Sequence, residues 1–250
     1  MALAVAAALV ACDRGGTSDD LAVPATPTVR SSASPVPRMP VRFSAIDGVQ
    51  IEGSMFGMGR VGVVLGHGSD GDQRDWWNFA ETLARQGFAA LAIDYRSYCP
   101  GGAAGCSGEG STADAWKDMI GGARYLTRHG VTRVVLMGSS MGGTASVVAA
   151  AQPGAGVAGA VSLSGAVECC GMTADKRVVR TIDVPLLFVA GRFDSGFVAS
   201  TRRWGRWAGS SADTVIVGSG EHGVNFFHLA TPDIQHRVTT LVLDFMARVS

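Results

Sequence analysis

The sequence predicts an α/β fold, a mostly parallel twisted sheet of about eight strands with an N-terminal antiparallel hairpin and helices on both faces. Short apolar runs such as "VGVVLGHG" and "AALAID" are continuous rather than alternating, which is typical of strands buried on both faces. Segments with helical spacing, such as "DWWNFAETLARQGF", separate these runs. Many of the 34 glycines directly follow an apolar run, which indicates tight turns between strands and helices.

The predicted elements follow in order from Val41. "VRFSAI" and "VQIEGSMF" alternate around the turn Asp47-Gly48, which predicts an antiparallel pair. Six further strands are predicted: "VGVVLGHG", "AALAID", "RVVLMG", "GAVSLSG", "VPLLFVAG" and "DTVIVGSG". Five helices are predicted: "DWWNFAETLARQGF", "TADAWKDMIGGARYLTRHG", "MGGTASVVAAAQ", "FVASTRRWGRWAG" and "DIQHRVTTLVLDFMARV". Because strands and helices alternate throughout, we expect right-handed crossovers and one domain over residues 41–250.

The composition allows a large core and gives no bulk charge. Hydrophobic residues make up 47% of the 250 residues. Lys and Arg together number 21, as do Asp and Glu. Since no net field favours a polyanion, we expect no nucleic-acid partner.

The N-terminal stretch differs from the rest of the chain. "MALAVAAALVAC" has the length of the hydrophobic part of a secretion signal and is too short to span a bilayer. Its ending resembles a bacterial lipobox, which implies lipidation of Cys12 after cleavage. Residues 13–40 carry five of the nine prolines and are rich in Ser, Thr and Gly, so we expect a disordered tether. This interpretation implies an exported protein held at the cell envelope by a lipid anchor; an apolar N-terminal helix of the fold is the alternative.

Four further cysteines occur in two pairs. Cys99 and Cys106 bracket a loop without periodicity, while Cys169 and Cys170 are adjacent. In an oxidising compartment we expect at least one disulfide, with Cys99–Cys106 as the first candidate. Four unpaired thiols are the alternative. Because no histidine lies close in sequence to either pair, we expect no metal site.

The stretch from Gly138 to Gly142 has the form G-x-S-x-G, centred on Ser140. An apolar strand precedes it and a helical pattern follows it, which is the context of a nucleophile elbow. In such a turn the serine is raised from the sheet edge, and flanking glycines avoid collisions with neighbouring backbone. A phosphate-binding glycine turn is the alternative, and "GHGSDG" is a loose match to a nucleotide motif.

From Val41 to the C-terminus the sequence resembles the α/β-hydrolase superfamily. That family places an acid after a late strand and a histidine near the end, in the order Ser, Asp, His. Asp194 follows "LLFVAGRF" and His222 follows "TVIVGSGE", so the resemblance implies a catalytic triad with Ser140. Glu168, after an earlier strand, is the rival acid.

The resemblance also implies the rest of the machinery. The backbone N–H groups of Ser69, after "VVLGHG", and of Met141 would form the oxyanion hole. The reaction needs neither a metal nor an organic cofactor. Arg96 and Tyr98 follow a buried strand on the catalytic side, so they are candidates for the substrate cleft, with solvent-facing loop positions as an equal alternative.

Fewer than twenty residues separate "AVSLSGA" from "VPLLFVAG", which leaves no room for a large cap domain. The sequence therefore looks like the lidless esterase and dienelactone-hydrolase-like branch of the superfamily. This implies a small carboxylic ester as the substrate. Two alternatives stay open: an amidase or peptidase with the same triad, and a non-catalytic envelope lipoprotein that binds a ligand.

Overall fold

The structure is a computed structural model that describes residues 36–99 and 106–250. The predicted signal segment 1–12, with its lipidation candidate Cys12, lies outside the described residues, as does most of the predicted tether. The strands are β1 (Arg38–Ser44), β2 (Gln50–Phe56), β3 (Val61–Gly66), β4 (Ala89–Asp94), β5 (Arg133–Ser139), β6 (Gly159–Leu163), β7 (Glu168–Cys169), β8 (Met172–Thr173), β9 (Leu186–Gly191) and β10 (Ala212–Val217).

Helices connect most of these strands. They are α1 (Trp77–Arg85), α2 (Ala115–Arg128), α3 (Met141–Ala150), α4 (Lys176–Arg180), α5 (Phe197–Ala208) and α6 (Pro232–Arg248). Short 3-10 segments precede α1 and α2, and another, Gly223–Phe227, follows β10. None of the helices in the described part of the chain has the length and apolar character needed to cross a bilayer.

Eight strands form one sheet in the order β1-β2-β4-β3-β5-β6-β9-β10. The first two strands pair antiparallel with each other, and β2 pairs antiparallel with β4. Every other neighbouring pair is parallel. The predicted fold class is therefore confirmed, including the number of strands and the leading hairpin.

Two hydrophobic layers cover the sheet. On one face, helices α2, α3 and α5 pack against sheet residues such as Val64 and Leu136. On the other face, α1 and α6 pack against Val63 and Val135. Adjacent residues of a strand point to opposite faces, so strands buried on both sides must be apolar at every position.

The first strand begins earlier than the sequence predicts. The composition predicts a tether through residue 40, but β1 starts at Arg38, and Pro40 pairs with Ser54 of β2. Proline is tolerated here because β1 is an edge strand, where a missing N–H need not weaken the ladder. The three residues from Arg38 to Pro40 therefore belong to the folded domain.

The connection from β6 to β9 was predicted only as a short segment. It contains the two-stranded hairpin of β7 and β8 and the five-residue helix α4. The described chain thus inserts no large cap between these strands, as the sequence predicts. The hairpin itself was not predicted, because strands of two residues carry no periodicity.

Candidate active site

The six parallel strands end at one edge of the sheet, which we call the catalytic edge. In open parallel sheets this is the edge where ligands bind, because the loops after the strands meet there. The residues that follow β3, β5, β9 and β10 are His67, Ser140, the turn with Asp194, and the loop with His222. Four segments distant in sequence therefore converge by topology alone.

Ser140 lies in a strained turn between β5 and α3. Its backbone has φ 53° and ψ −113°, a conformation that residues with a side chain rarely adopt. A Cβ on Gly138 would lie 2.1 Å from the backbone of Gly142, and a Cβ on Gly142 would lie 2.2 Å from the carbonyl oxygen of Gly66. The flanking glycines are therefore required by close backbone approach. The half-buried Ser140 is left at the start of a helix.

His222 and Asp194 meet across 28 residues of sequence. The Nδ1 atom of His222 lies 2.9 Å from Oδ2 of Asp194. Since an ionised carboxylate can only accept, Nδ1 carries the hydrogen, and Nε2 is left with a lone pair. The Asp194 side chain is only 8% exposed and that of His222 is 34% exposed. The buried Asp194 thus orients the imidazole, and part of the ring remains accessible to solvent.

Two serines hold the segment that follows His222. The backbone N–H of Val224 donates to the hydroxyl of Ser139 at 2.9 Å, and that of Gly223 donates to Ser164 at 3.1 Å. These bonds place the residues after His222 directly against the residue before Ser140. Neither role was predicted from the sequence, although a hydroxyl at the end of a buried apolar strand is the signal that could have identified both serines.

The loop after β3 packs against the Ser140 turn. A Cβ on Gly68 would lie 3.6 Å from that of Ser140, and the N–H of Gly142 donates to the carbonyl of His67 at 3.1 Å. His67 is fully buried, and its Nε2 accepts from the N–H of Tyr95 at 3.2 Å. Its Nδ1 therefore carries the hydrogen and donates to the carbonyl of Gly68 at 2.6 Å.

Burial lowers the pKa of His67 to about 4, because the charged imidazolium cannot be solvated there. His67 is therefore neutral near pH 7. It holds the loop in place through two backbone hydrogen bonds and carries no charge near pH 7.

The candidate oxyanion donors come from the loop after β3 and from the start of α3. Ser69 is exposed in the loop after β3, and Met141 is the buried first residue of α3. The first N–H groups of a helix have no partner within the helix and favour negative charge. The hydroxyl of Tyr98 donates to the carbonyl of Ser69 at 2.6 Å and so fixes the loop from outside.

Comparison with known proteins agrees with this architecture. A family model described as alpha/beta hydrolase fold matches residues 63–180, which include most of β3 and the Ser140 turn. An esterase from Pyrococcus furiosus has a TM-score of 0.70 at 16% identity, over 85% of this chain and 90% of that chain. A dienelactone hydrolase from Anabaena variabilis has a TM-score of 0.67 at 20% identity, over 86% and 99% of the two chains. The search of curated proteins finds no match.

The chain has the alpha/beta hydrolase fold. A thermophilic esterase from Thermogutta terrifontis shares it, with a TM-score of 0.64 and 15% identity over 85% of this chain and 99% of that chain. At such low identity the likeness concerns the fold. The activity has to be argued from the site itself.

Arg96 does not line a cleft in this alpha/beta hydrolase fold. Its side chain is only 2% exposed, and the guanidinium lies 2.7 Å from Asp118 and 2.9 Å from Asp47. The hydrogen bond from Arg96 also lowers the pKa of Asp47 to about 2. The buried Arg96 therefore fits neither alternative, a cleft residue or a solvent-facing loop residue: its charge is satisfied by carboxylates that tie the β1–β2 turn to α2. Glu168, the rival acid, is exposed on β7.

Two aromatic side chains, one against His222 and one next to Asp194 in the chain, were not predicted from the sequence. The ring of Phe197 lies 4.3 Å from the imidazole of His222, centroid to centroid. Phe193, next to Asp194, is 71% exposed. The half-buried ring of Phe197 and the exposed ring of Phe193 give this edge of the sheet an apolar surface.

Both cysteine pairs occur in segments that follow parallel strands: Cys99 comes after β4, and Cys169 comes after β6. Cys99 and Cys106 form a disulfide with their Cα atoms 4.2 Å apart. Cys169 and Cys170 are unbonded and half-buried. Within the described ranges, no group of three or more His, Cys, Asp or Glu could hold a metal ion.

An apolar cavity of about 510 Å³ lies elsewhere in the fold. It is lined by residues of β1, by Ala89 at the start of β4 and by His129 after α2. Because Ala89 begins β4 and the lining residue Val131 lies just before β5, the cavity lies at the edge opposite the catalytic one. It has no part in the site around Ser140.

Proposed function

We propose that this protein is a serine hydrolase that cleaves carboxylic esters of modest size through an acyl-enzyme on Ser140. The observation that carries the proposal is the 2.9 Å contact between His222 and Asp194, on a segment bonded to the neighbour of Ser140. A strained serine at a helix start and an oriented imidazole with a free ring nitrogen, both at the same edge of the sheet, are the parts that activate a hydroxyl nucleophile.

In the first half-reaction the Oγ of Ser140 attacks the ester carbonyl carbon while Nε2 of His222 takes its proton. Asp194 holds the Nδ1 hydrogen and stabilises the imidazolium. The carbonyl oxygen becomes an oxyanion, which accepts hydrogen bonds from the N–H groups of Ser69 and Met141. Each such donor lowers the barrier by about 3 kcal/mol.

The tetrahedral intermediate then collapses. The imidazolium returns its proton to the departing alcohol oxygen, and an acyl group remains on Ser140. A water molecule attacks the acyl carbonyl with His222 again as the base, which releases the carboxylic acid and regenerates the hydroxyl. The cycle consumes one water and needs no cofactor.

The surroundings of the site support small, partly apolar esters. The short connection between β6 and β9 leaves the catalytic edge open, and the exposed ring of Phe193 supplies an apolar surface for an acyl or alcohol group. The names of two esterases and a dienelactone hydrolase among the structural neighbours support the same reaction class.

A fluorophosphonate probe tests the nucleophile directly. We expect labelling of the wild-type protein and none of Ser140→Ala. The matched control is Ser146→Ala, which removes a hydroxyl further along α3, bonded to the carbonyl of Gly142. Equal labelling of Ser140→Ala and wild type would exclude this residue. A folded protein that never labels would favour a ligand-binding role for the same fold.

The leaving group requires a separate experiment. We expect turnover of p-nitrophenyl esters with short acyl chains and much slower turnover of aminoacyl anilides. Faster cleavage of the anilides would assign the same triad to an amidase or peptidase. The comparison uses one protein preparation, so folding differences do not enter.

We also propose that the protein is exported and anchored to a bacterial membrane through lipid on Cys12. Two or three acyl chains hold a protein firmly, at about 0.8 kcal/mol per buried CH₂. In a bacterial host, the full chain should fractionate with membranes and incorporate a labelled fatty acid. Cys12→Ser should abolish the incorporation, while persistent incorporation would contradict this assignment.

A further inference from the structure

The β7–β8 hairpin turns on two residues with unusual backbone. Cys169 pairs with Met172, so the loop consists of Cys170 and Gly171. Both have positive φ, at 56° and 82°. Such turns favour asparagine, aspartate or glycine at the first position, because these residues tolerate this backbone best. Cysteine is not among these residues, so its presence at this position of the turn is unusual.

The two sulfurs of the hairpin lie side by side. The distance between the Sγ atoms of Cys169 and Cys170 is 2.6 Å. This is shorter than the separation of about 3.5–4.0 Å at which unbonded heavy atoms usually rest. It is only slightly longer than the S–S bond of a disulfide, which is about 2.05 Å. A small movement of either side chain would bring the sulfurs into bonding range.

The base of this hairpin is hydrogen-bonded to helices α3 and α5. The hydroxyl of Thr144, in the first turn of α3, donates to the carbonyl of Ala166 at 2.9 Å and accepts from its N–H at 3.1 Å. The N–H of Val167 donates to Ser200 of α5 at 3.2 Å. Helix α3 begins next to Ser140, and α5 follows the turn of Asp194. A shift of the hairpin therefore reaches the supports of both residues.

The tip of the hairpin contacts the 3-10 segment that precedes α2. The hydroxyl of Thr112 donates to the carbonyl of Cys170 at 3.4 Å. A Cβ on Gly171 would lie 2.6 Å from that of Ala113, so the turn sits tightly against this segment. Because there is no free space at the tip of the hairpin, a change in the turn also displaces the segment that precedes α2.

We propose that Cys169 and Cys170 form a reversible vicinal disulfide, and that its formation lowers the hydrolytic activity of the site at Ser140. The second part rests on the proposed function. Closing the ring of eight atoms alters the geometry of the turn, because the peptide bond between the two cysteines becomes part of that ring. The bonds from Thr144 and Ser200 transmit that change to the helices beside Ser140 and Asp194.

The oxidation proceeds by exchange with a low-molecular-weight disulfide such as oxidised glutathione. Burial and the neighbouring sulfur raise the pKa of Cys169 to about 12, so its thiolate is scarce. We therefore assign the first attack to Cys170, which forms a mixed disulfide and releases one thiol. Cys169 then attacks the sulfur of Cys170, loses its proton and releases the second thiol. The protein pair is oxidised by two electrons, and one oxidant disulfide is reduced to two thiols.

The state of each cysteine pair can be read separately. Cleavage after Lys and Arg places Cys99 and Cys106 in the peptide 97–117 and the vicinal pair in the peptide 134–176. The full-length protein is equilibrated in mixtures of reduced and oxidised glutathione, alkylated and analysed by mass spectrometry. We expect the peptide 134–176 to change from two alkyl groups to none as the mixture becomes more oxidising, and to recover on reduction. Two alkyl groups under all conditions would overturn the proposal.

Ester hydrolysis is measured on the same samples. We expect kcat to fall severalfold on oxidation and to recover on reduction. Cys169→Ser/Cys170→Ser should stay at the reduced level in every mixture, while Cys99→Ser/Cys106→Ser, the matched control, should respond like wild type. Formation of the vicinal disulfide with unchanged kcat would overturn the coupling.

Failure of the proposed function would look different. In that case neither redox state reacts with a fluorophosphonate, although the peptide 134–176 still cycles between its two forms. That outcome would remove the enzymatic readout and the coupling with it, while the redox pair itself would be established.

Discussion

The hydroxyl of Ser139 accepts a hydrogen bond of 2.9 Å from the backbone N–H of Val224, 85 residues away in sequence. This bond joins the end of β5 to the segment that carries His222. The residue between His222 and Val224 is Gly223, which has φ 57°. A Cβ at Gly223 would lie 1.9 Å from the Ser139 hydroxyl oxygen. The position of the segment that carries His222 against the end of β5 therefore depends on a small residue at 223.

Gly223→Ala should lower ester hydrolysis strongly, because the added methyl group must push the His222 segment away from β5. A displacement of about 1 Å at a catalytic group can cost about 100-fold in rate. We expect a loss in kcat of that order with a folded protein, measured by steady-state kinetics and circular dichroism.

The matched control is Gly154→Ala. Gly154 has φ 70° and open space around its Cβ position, so the variant has the backbone strain without the collision. It should keep wild-type kcat. Gly223→Ala/Ser139→Gly, which removes the colliding hydroxyl, should recover part of the lost rate. If both alanine variants lose activity equally, the collision is not the cause.

Asp194→Asn should reduce kcat by about 10⁴-fold, because the amide stabilises the wrong tautomer of the imidazole and cannot offset its charge. Glu168→Gln should change kcat little, since Glu168 is exposed on β7 while Asp194 contacts His222. Parallel kinetics of the two variants check this. A larger loss in Glu168→Gln would reverse the assignment of the acid.

Tyr98→Phe should lower kcat more than it changes KM. The hydroxyl of Tyr98 fixes the loop of Ser69 through one hydrogen bond of 2.6 Å. A neutral hydrogen bond contributes about 1 kcal/mol, which corresponds to a decrease in kcat of about fivefold to tenfold if the loop donates to the oxyanion. Tyr125→Phe, a half-buried tyrosine on α2, is the control. An increase in KM alone would instead make Tyr98 a substrate contact.

Stability should depend on pH through His67. Burial lowers the pKa of its imidazole from 6.5 to about 4 in the folded protein. The unfolded chain therefore binds the extra proton between about pH 6.5 and 4, and the free energy of unfolding falls as pH decreases through this window. The contribution is on the order of 3 kcal/mol, because each tenfold difference in proton affinity between the folded and unfolded chains corresponds to about 1.4 kcal/mol.

Urea unfolding at pH 7, 5.5 and 4.5 measures this slope (about 1.4 kcal/mol per pH unit at its steepest). His67→Gln keeps a donor and an acceptor at the position but does not titrate, so its stability should depend less on pH than that of wild type. His129→Gln, at an exposed histidine, is the control and should retain the wild-type slope. Identical slopes in His67→Gln and wild type would contradict the assignment.

Arg96→Met should destabilise the fold by about 3–5 kcal/mol, because it leaves the buried carboxylate of Asp118 without its partner. Arg96→Met/Asp118→Leu should recover part of that loss. Arg74→Met, which removes an exposed pair with Asp72, should cost about 1 kcal/mol or less. Chemical denaturation gives the free energy of unfolding of the three variants. If Arg96→Met is stable and has a raised KM, Arg96 is a substrate contact after all.

Much of the architecture could be predicted because it depends on patterns of residues that are close in sequence. Continuous apolar runs identified β3, β5 and β9, and the glycines around Ser140 identified a turn that the structure shows to be strained. The hairpin of β7 and β8 escaped prediction, because two-residue strands are specified by their turn and by contacts with α2 and α3 rather than by periodicity.

The sequence by itself determined the order of strands and helices and the turn at Ser140, since both follow from the spacing of residues a few positions apart. Only the tertiary structure decided that Asp194 contacts His222 while Glu168 is exposed, and that Arg96 points into a buried ion-pair network. It alone placed Ser139 against Val224. The physical reason is that such contacts join strand ends up to 85 residues apart, and no local pattern encodes which side chains will meet at the edge of a folded sheet.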